Sequence, residues 1–495
     1  MKNPSIYLFF LGFAFILLLV NCKGTKKERI TEIPATTSSK EALASFQQGL
    51  ALFDLNEGQK ARTFFSKAIE QDPKMAIAYI FRAETSLSPD EFVKDLDQAK
   101  ANLEGKSGWE KLYYDYYATY LNSDWNKRLE ITQQLADMYP DAARTQLDLG
   151  YTYMTGNDET KARECFQKAV QINSKWVTGY LALSNSYLFS DPKDFKKAEE
   201  NALEVVKLAP SSAGAEVTLG DCYRAQNDLV KAREAYSKAI ELDTGASEPY
   251  YKKGHANTFL GNLEEARQDY TEGANYDRSK QSPVEFIAYT YVYGGDYQAA
   301  LQYLTDQIAQ IDASGETQSN INVTKSVWLE DCANIAFHYG DITKFKEIEA
   351  VLGPLYTQIY NEAGTPEATM EGEAANLYGQ AIVAAMEGNY DVAKTKADEI
   401  KTTLEPVKNP TKLSGYEFVM GYIAMKQKDY QSAINHFEKT RLSDIYNKYW
   451  LALAYEAAGN NDKANALFME ISDYNFNDPC YALVRNEVKN KLSAL

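Results

Sequence analysis

Imidazole is scarce in this chain: three histidines, His255, His338 and His436, stand far apart in 495 residues and cannot be read as a metal cluster. Positive charge is also short. Lysine and arginine number 52 against 69 acidic residues, a net charge of −17, and no basic cluster interrupts that balance, so nucleic acid is not an expected partner. The G-x-S-x-G elbow, the H-E-x-x-H pair and the G-x-x-x-x-G-K phosphate loop are all missing. The chain therefore presents no candidate catalytic residue, metal site or cofactor, and it is not expected to be an enzyme. Cysteine is sparse as well: Cys165, Cys222, Cys332 and Cys480 follow Cys22 with no C-x-x-C spacing, which favours buried thiols acting as small hydrophobes over disulfides or zinc ligands. A membrane-spanning run is lacking too, because the longest apolar stretch, Ile6 to Val20, falls short of the roughly 20 residues a bilayer requires.

What the sequence does have is a period. Ala162, Ala198, Ala232, Ala266 and Ala300 are 36, 34, 34 and 34 residues apart, and Gly150, Ser184, Gly220, Gly254 and Ala288 keep a step of 34, 36, 34 and 34. Small residues in fixed phase mark a repeat of two helices that cannot bury its own apolar face and must stack on its neighbours. Glycine or alanine at these positions lets paired helices approach to roughly 8–10 Å, and large residues fill the space beside the crossing. A Gly-Asn or Gly-Asp pair returns at Gly156, Gly261, Gly295, Gly340, Gly388 and Gly459, where glycine can end one helix in the left-handed conformation and the next residue can open another.

The unit reads Leu149-Gly150, Tyr153, Ala162, Phe166, Ala169, and returns as Leu219-Gly220, Tyr223, Ala232, Tyr236, Ala239 and as Tyr250, Gly254, Ala266, Tyr270. An earlier copy has Gly49, Ala61, Phe65, Ala68 and Pro73, and later ones have Gly421, Ala433, Phe437 and then Ala452, Tyr455, Ala464, Phe468. This pattern resembles the tetratricopeptide repeat (TPR) family. The resemblance implies an all-α solenoid, a right-handed superhelix of antiparallel helix pairs, here of ten to twelve units. The expected organisation is a signal segment over 1–21, a flexible tether over 22–41, an N-terminal repeat block over 42–314, a degenerate helical pair and joint over 315–373, and a C-terminal block over 374–495 ending in a capping helix. Within the degenerate stretch, Val323 to His338 and Ile342 to Ala363 read as helices, with a joint at Gly364 to Gly372.

The N-terminus resembles a bacterial lipoprotein signal: Lys2, the apolar run, then Leu19-Val20-Asn21-Cys22, with Asn21 where a smaller residue is usual. That resemblance implies cleavage before Cys22, lipidation of Cys22, and, with Lys23 following it, the periplasmic face of the outer membrane. An uncleaved anchor or an ordinary signal peptide are the alternatives. In the TPR family the first helix of each unit lines a concave groove. Carried onto this chain, that face holds Tyr151 and Met154, then Leu181, Asn185 and Phe189, then Arg224, then Tyr251, His255 and Phe259, then Tyr289 and Tyr293, and, in the late block, Phe418 and Tyr422. Aromatic side chains there suit an extended or helical peptide; the alternative is that these side chains pack on one another between repeats. The expected function is a lipid-anchored scaffold binding a protein or peptide partner in the bacterial cell envelope. The alternatives are a helical-repeat lipoprotein capturing a glycan beside an outer-membrane transporter and a subunit of an envelope assembly machine.

Overall fold

The computed structural model describes residues 34–279 and 281–494. The expected signal segment, Cys22 and most of the tether lie outside the described residues. Among the described residues the chain forms 25 α-helices and no strand. The first three pairs are α1 (Lys40–Phe53) with α2 (Gly58–Gln71), α3 (Ala76–Glu84) with α4 (Pro89–Ala101), and α5 (Gly108–Leu121) with α6 (Trp125–Met138). Five more follow: α7 (Ala143–Thr155) with α8 (Glu159–Ile172), α9 (Val177–Phe189) with α10 (Phe195–Leu208), α11 (Ala213–Ala225) with α12 (Leu229–Leu242), α13 (Ser247–Leu260) with α14 (Leu263–Gly273), and α15 (Gln281–Tyr293) with α16 (Tyr297–Gln310). The second half pairs α17 (Gln318–His338) with α18 (Ile342–Asn361), α19 (Pro366–Met386) with α20 (Tyr390–Thr403), α21 (Ser414–Lys426) with α22 (Tyr430–Phe437), and α23 (Ile445–Ala457) with α24 (Asn461–Ser472). A single helix, α25 (Pro479–Ser493), ends the chain. Each helix packs on the next, the stacking that defines a solenoid.

Local chemistry explains where the helices start and stop. Asp124, Asp158, Asp194, Asp228, Asp296, Asp341 and Asp429 each cap the second helix of a pair by accepting a backbone N–H from its first turn. Gly261, Gly295, Gly340, Gly388 and Gly459 end first helices with φ between 73° and 84°, as expected of them. Gly156 does not: its φ is −85°, and Asn157 takes the left-handed position at φ 60°. Gly156 is small for another reason, since a Cβ there would run into the Trp125 indole.

The small residues of the repeat sit at the helix crossings. Ala162, Ala198, Ala232, Ala266 and Ala300 are fully buried. Each crossing glycine faces an aromatic ring from the partner helix: a Cβ on Gly49 would stand 2.7 Å from Phe65, one on Gly421 2.7 Å from Phe437, and those on Gly150, Gly220 and Gly254 closer still to Phe166, Tyr236 and Tyr270.

Three expectations need revision. The end of the expected tether over 22–41 is ordered, since Ser39 caps α1 and the residues just before it are docked: Thr36 donates to Glu110 at 2.5 Å and Thr37 to Asp72 at 2.5 Å. The joint at Gly364 to Gly372 is confined to the turn before Pro366. Gly372 lies inside α19, where it lets the backbone pass Tyr360 on α18, and α17 begins at Gln318, not Val323. Lastly, α25 does more than cap an open end: it packs on α23 and α24 and also reaches back to α15 and α17.

Replacing Gly254 by leucine should test the crossing. Overpacking against the buried Tyr270 ring is expected to cost about 1–3 kcal/mol, whereas Gly245→Leu in the exposed α12–α13 turn should leave the thermal melt nearly unchanged. Coincident melts would contradict the packing described.

Candidate peptide-binding site

Between α24 and α25 the chain runs without helix from Tyr474 to Asp478 and turns at Asn475, whose φ is 36°. This stretch lies in the groove lined by the first helices of four consecutive units, α9, α11, α13 and α15. Phe476 is buried against Phe189 of α9, ring centroids 4.5 Å apart, with the Arg224 guanidinium of α11 4.9 Å from its centroid. Asn477 donates to His255 Nδ1 of α13 at 3.0 Å and accepts from the Tyr293 hydroxyl of α15 at 2.9 Å. Tyr481, in the first turn of α25, meets Phe259 edge-on at 5.9 Å, and Asn486 donates to the Tyr293 carbonyl at 3.1 Å. Five expected groove residues, Phe189, Arg224, His255, Phe259 and Tyr293, are thereby brought onto one segment of their own chain.

The polar part of this groove is set by burial and by charge pairing. Burial, reinforced by Arg224 and Lys252, pushes His255 well below the ordinary histidine range, so the ring is neutral, with the Tyr270 hydroxyl at 2.9 Å sharing Nδ1 with Asn477. Asp221 is buried, which opposes its ionisation, yet Lys252 at 2.9 Å, Arg224 at 3.0 Å and the Tyr236 hydroxyl at 2.6 Å hold it below the usual carboxylate range. That pairing also keeps Arg224 in place beneath Phe476.

The remaining expected residues are distributed differently. Leu181 is packed among Val205 and Ala215. Tyr251 is buried with its hydroxyl on Asp277 at 2.9 Å, and Tyr289 is buried with its hydroxyl 3.2 Å from Asp331. Tyr422 packs with Phe337 and Trp450, and Asn185 is half-buried. Tyr151 and Met154 line an open cavity of about 840 Å³ on the concave face of the first units, and Phe418 lines a second of about 880 Å³ in the late block.

The first cavity also takes Tyr113, Tyr116, Tyr117 and Tyr120 of α5, and the carboxylates of Glu84 and Asp148. These residues were not singled out as groove positions, although the aromatic run of α5 was their visible signal. Burial raises Asp148 to about 6, against the opposing Tyr113 bond and Arg144 charge, and burial together with Asp148 raises Glu84 to about 7. The first hairpin closes this side of the superhelix: Arg144 grips both oxygens of Asp54 at 2.6 and 2.7 Å, and Trp176 donates to the same carboxylate at 3.0 Å. Among the described residues no group of three metal-ligating side chains is assembled, and no helix is long and apolar enough to cross a membrane.

Family models described as tetratricopeptide repeat match residues 143–175, 213–246, 247–280 and 446–474. Superkiller complex protein 3 of Homo sapiens is 27% identical over 210 residues, covering 41% of this chain and 13% of that protein. Heat shock protein STI1 of Saccharomyces cerevisiae is 34% identical over 105 residues, covering 21% of this chain and 17% of that protein. The chain thus spans a small part of the length of these relatives. Among solved structures, yeast Tom70 matches over 85% of this chain and 96% of its own at 14% identity and a TM-score of 0.41. YrrB, described as a TPR protein with an unusual peptide-binding site, matches over 36% of this chain and 91% of its own at 18% identity and a TM-score of 0.26.

The docked segment has a pH signature. Burial pushes the Asp478 carboxyl up to about 7 from an ordinary value of 3.8, against the hydrogen bonds it receives from the Tyr481 backbone and the Tyr474 hydroxyl. Below about pH 4 the folded and unfolded chains both hold this proton; as pH rises toward 7 only the unfolded chain releases it freely, so the stability tied to the neutral form is lost across that window. Asp478→Asn keeps a capping side chain for α25 and removes the titration. Melts of the two proteins should coincide near pH 4 and separate with the variant the more stable by pH 8, at up to about 1.4 kcal/mol per pH unit of the shift. An unchanged gap between pH 4 and 8 would refute this.

Proposed function

We propose, for a chain that carries tetratricopeptide repeats, that it is a non-catalytic scaffold whose concave face docks an extended segment of a partner polypeptide. The observation behind this reading is the seating of Tyr474–Asp478 across four successive first helices, with aromatic anchors and side-chain amide bonds, the elements by which a groove recognises a peptide. The same groove engages a partner in trans when that segment leaves, and docking across several units makes the interaction multivalent. We further propose that the scaffold is held at the bacterial outer membrane, on its periplasmic face, through a lipidated Cys22. The apolar run ending in Leu19-Val20-Asn21-Cys22 supports that placement.

A labelled peptide with the sequence of residues 472–480 should bind the full chain carrying Phe476→Ala and Asn477→Ala, whose own segment grips poorly, and bind the unaltered chain far less. A peptide with alanine in place of Phe476 should bind roughly thirtyfold more weakly, the equivalent of about 2 kcal/mol for one aromatic anchor. Equal binding of the two peptides, or none by either to the folded variant, would reject the groove as a peptide site. For the anchor, metabolic labelling with palmitate should tag the natural chain and spare Cys22→Ala; equal labelling would reject lipidation at that residue.

A further inference from the structure

The late-block cavity, about 880 Å³, lies between α17 through α21, the start of α23 and Cys480 of α25 on one side and Tyr120, Ser123, Arg128 and Thr155 of the early units on the other. Its walls are aromatic: Phe337 of α17, Tyr356 and Tyr360 of α18, Tyr378 of α19, Phe418 of α21 and Tyr446 of α23. Carboxylates project among these rings. Glu330 comes from α17, Glu349 from α18, Glu371 from α19 and Asp444 from the turn before α23.

Three features set this apart from an acidic surface. First, the carboxylates lack compensating charge: Glu349 and Glu371 are half-buried and Glu330 opens to solvent, and no lysine or arginine pairs with any of the three among the described residues. Glu330 accepts only from the Tyr356 hydroxyl, at 2.7 Å. Burial, and then Glu330, raises Glu349 to about 7. The two cationic residues that line the cavity are committed at its rim, Lys412 to the carbonyls of Glu405 and Val407, and Arg128 to Thr119 and the face of Tyr120 at 3.6 Å. Second, the hydroxyl of half-buried Tyr378 lines the cavity and has no hydrogen-bond partner among the described residues. Third, the backbone makes room for the charge. The Glu349 carboxylate lies over Gly379 of α19, where any Cβ would overlap it.

Carboxylates without a cationic partner, set among ring faces in a concave cavity, attract one chemistry above others, a delocalised or weakly hydrated organic cation, which gains Coulombic pairing and cation–π contact in the same place. A neutral sugar would use the rings and leave the charge uncompensated. We propose that this cavity is a binding site for a ligand bearing a guanidinium or protonated amine, its cationic end between Glu330 and Glu349 and its body against Tyr356 and Tyr378. The ligand is either a free amine or a basic side chain of a polypeptide. The site is separate from the peptide groove and does not rest on that reading.

Calorimetric titration of the full chain tests it with agmatine, an Arg-Arg dipeptide amide, its citrulline counterpart and maltotriose. Agmatine or the arginine dipeptide should bind saturably and the citrulline peptide should not. Glu349→Gln, whose melt should match or exceed that of the unaltered chain, should weaken the cation by about tenfold or more, and Tyr356→Leu should weaken it as well. Tighter binding of agmatine identifies a free amine, and tighter binding of the dipeptide a basic segment; either supports the site. Equal affinity for arginine and citrulline peptides, undiminished affinity of Glu349→Gln, binding of maltotriose alone, or no binding by any probe would overturn it. Failure of the cation probes while the trans peptide still binds would remove this site and leave the groove standing.

Discussion

The fold depends on one recurring contact, a residue without a large side chain on the first helix of a unit pressed against a ring on the second. Gly49 and Phe65, Gly150 and Phe166, Gly220 and Tyr236, Gly254 and Tyr270, and Gly421 and Phe437 are the same contact made five times, each pair sixteen residues apart. Because a ring fills the space that a Cβ would take, the two helices cannot come closer or slide without a clash or a void, and both errors are costly in a close-packed interior. Fixing each hairpin in this way fixes the rotation from one hairpin to the next. The curvature of the whole is the accumulated result, and the concave face exists only because the angle repeats.

Curvature of that kind, carried through twelve pairs, brings distant parts of the chain together. Asp54, in the first hairpin, is held by Arg144 and Trp176, and Arg278 reaches Glu91 at 2.6 Å. Farther along, Thr365 donates to the Leu121 carbonyl at 2.6 Å and Lys408 pairs with Asp124 at 2.9 Å. These bonds join units that a straight stack would keep apart, so the concave space is closed into an interior. Within that space the Tyr474–Asp478 segment buries Phe476, and burial, reinforced by Arg224 and Lys252, keeps His255 neutral opposite it.

The sequence made the repeat legible because its contacts are local: a small residue and a ring sixteen positions apart declare the hairpin, and aspartate after the turn declares the next helix. Gly156 shows the limit of such reading. The same Gly-Asn pair that ends a helix elsewhere has its left-handed residue one position later here, since the demand on glycine comes from Trp125 on the preceding unit. The groove was legible as a surface and not as an occupied one. Phe189, Arg224, His255, Phe259 and Tyr293 could be placed on one face from their phase in the repeat, but Tyr474–Asp478 belongs to no repeat. Only the full turn of the superhelix brings it there. The carboxylates of the cavities were invisible for the same reason, as Glu330 and Glu349 of the α17–α18 pair meet Asp444 only through the angle between that pair and α23–α24.

Those carboxylates bear on what the interior is for. A stack held together by glycine–ring crossings gains nothing from carboxylates kept among rings without a cationic partner, and desolvation raises Glu84 and Glu349 to about 7. At two contacts that hold units together the carboxylate is paired, Asp221 with Arg224 and Lys252, and Asp54 with Arg144. Glu330, Glu349 and Glu371 have no such partner among the described residues and line an open space among tyrosines. A carboxylate kept at a cavity wall, with its counterpart absent from the chain itself, is the arrangement expected where the counterpart arrives with a ligand.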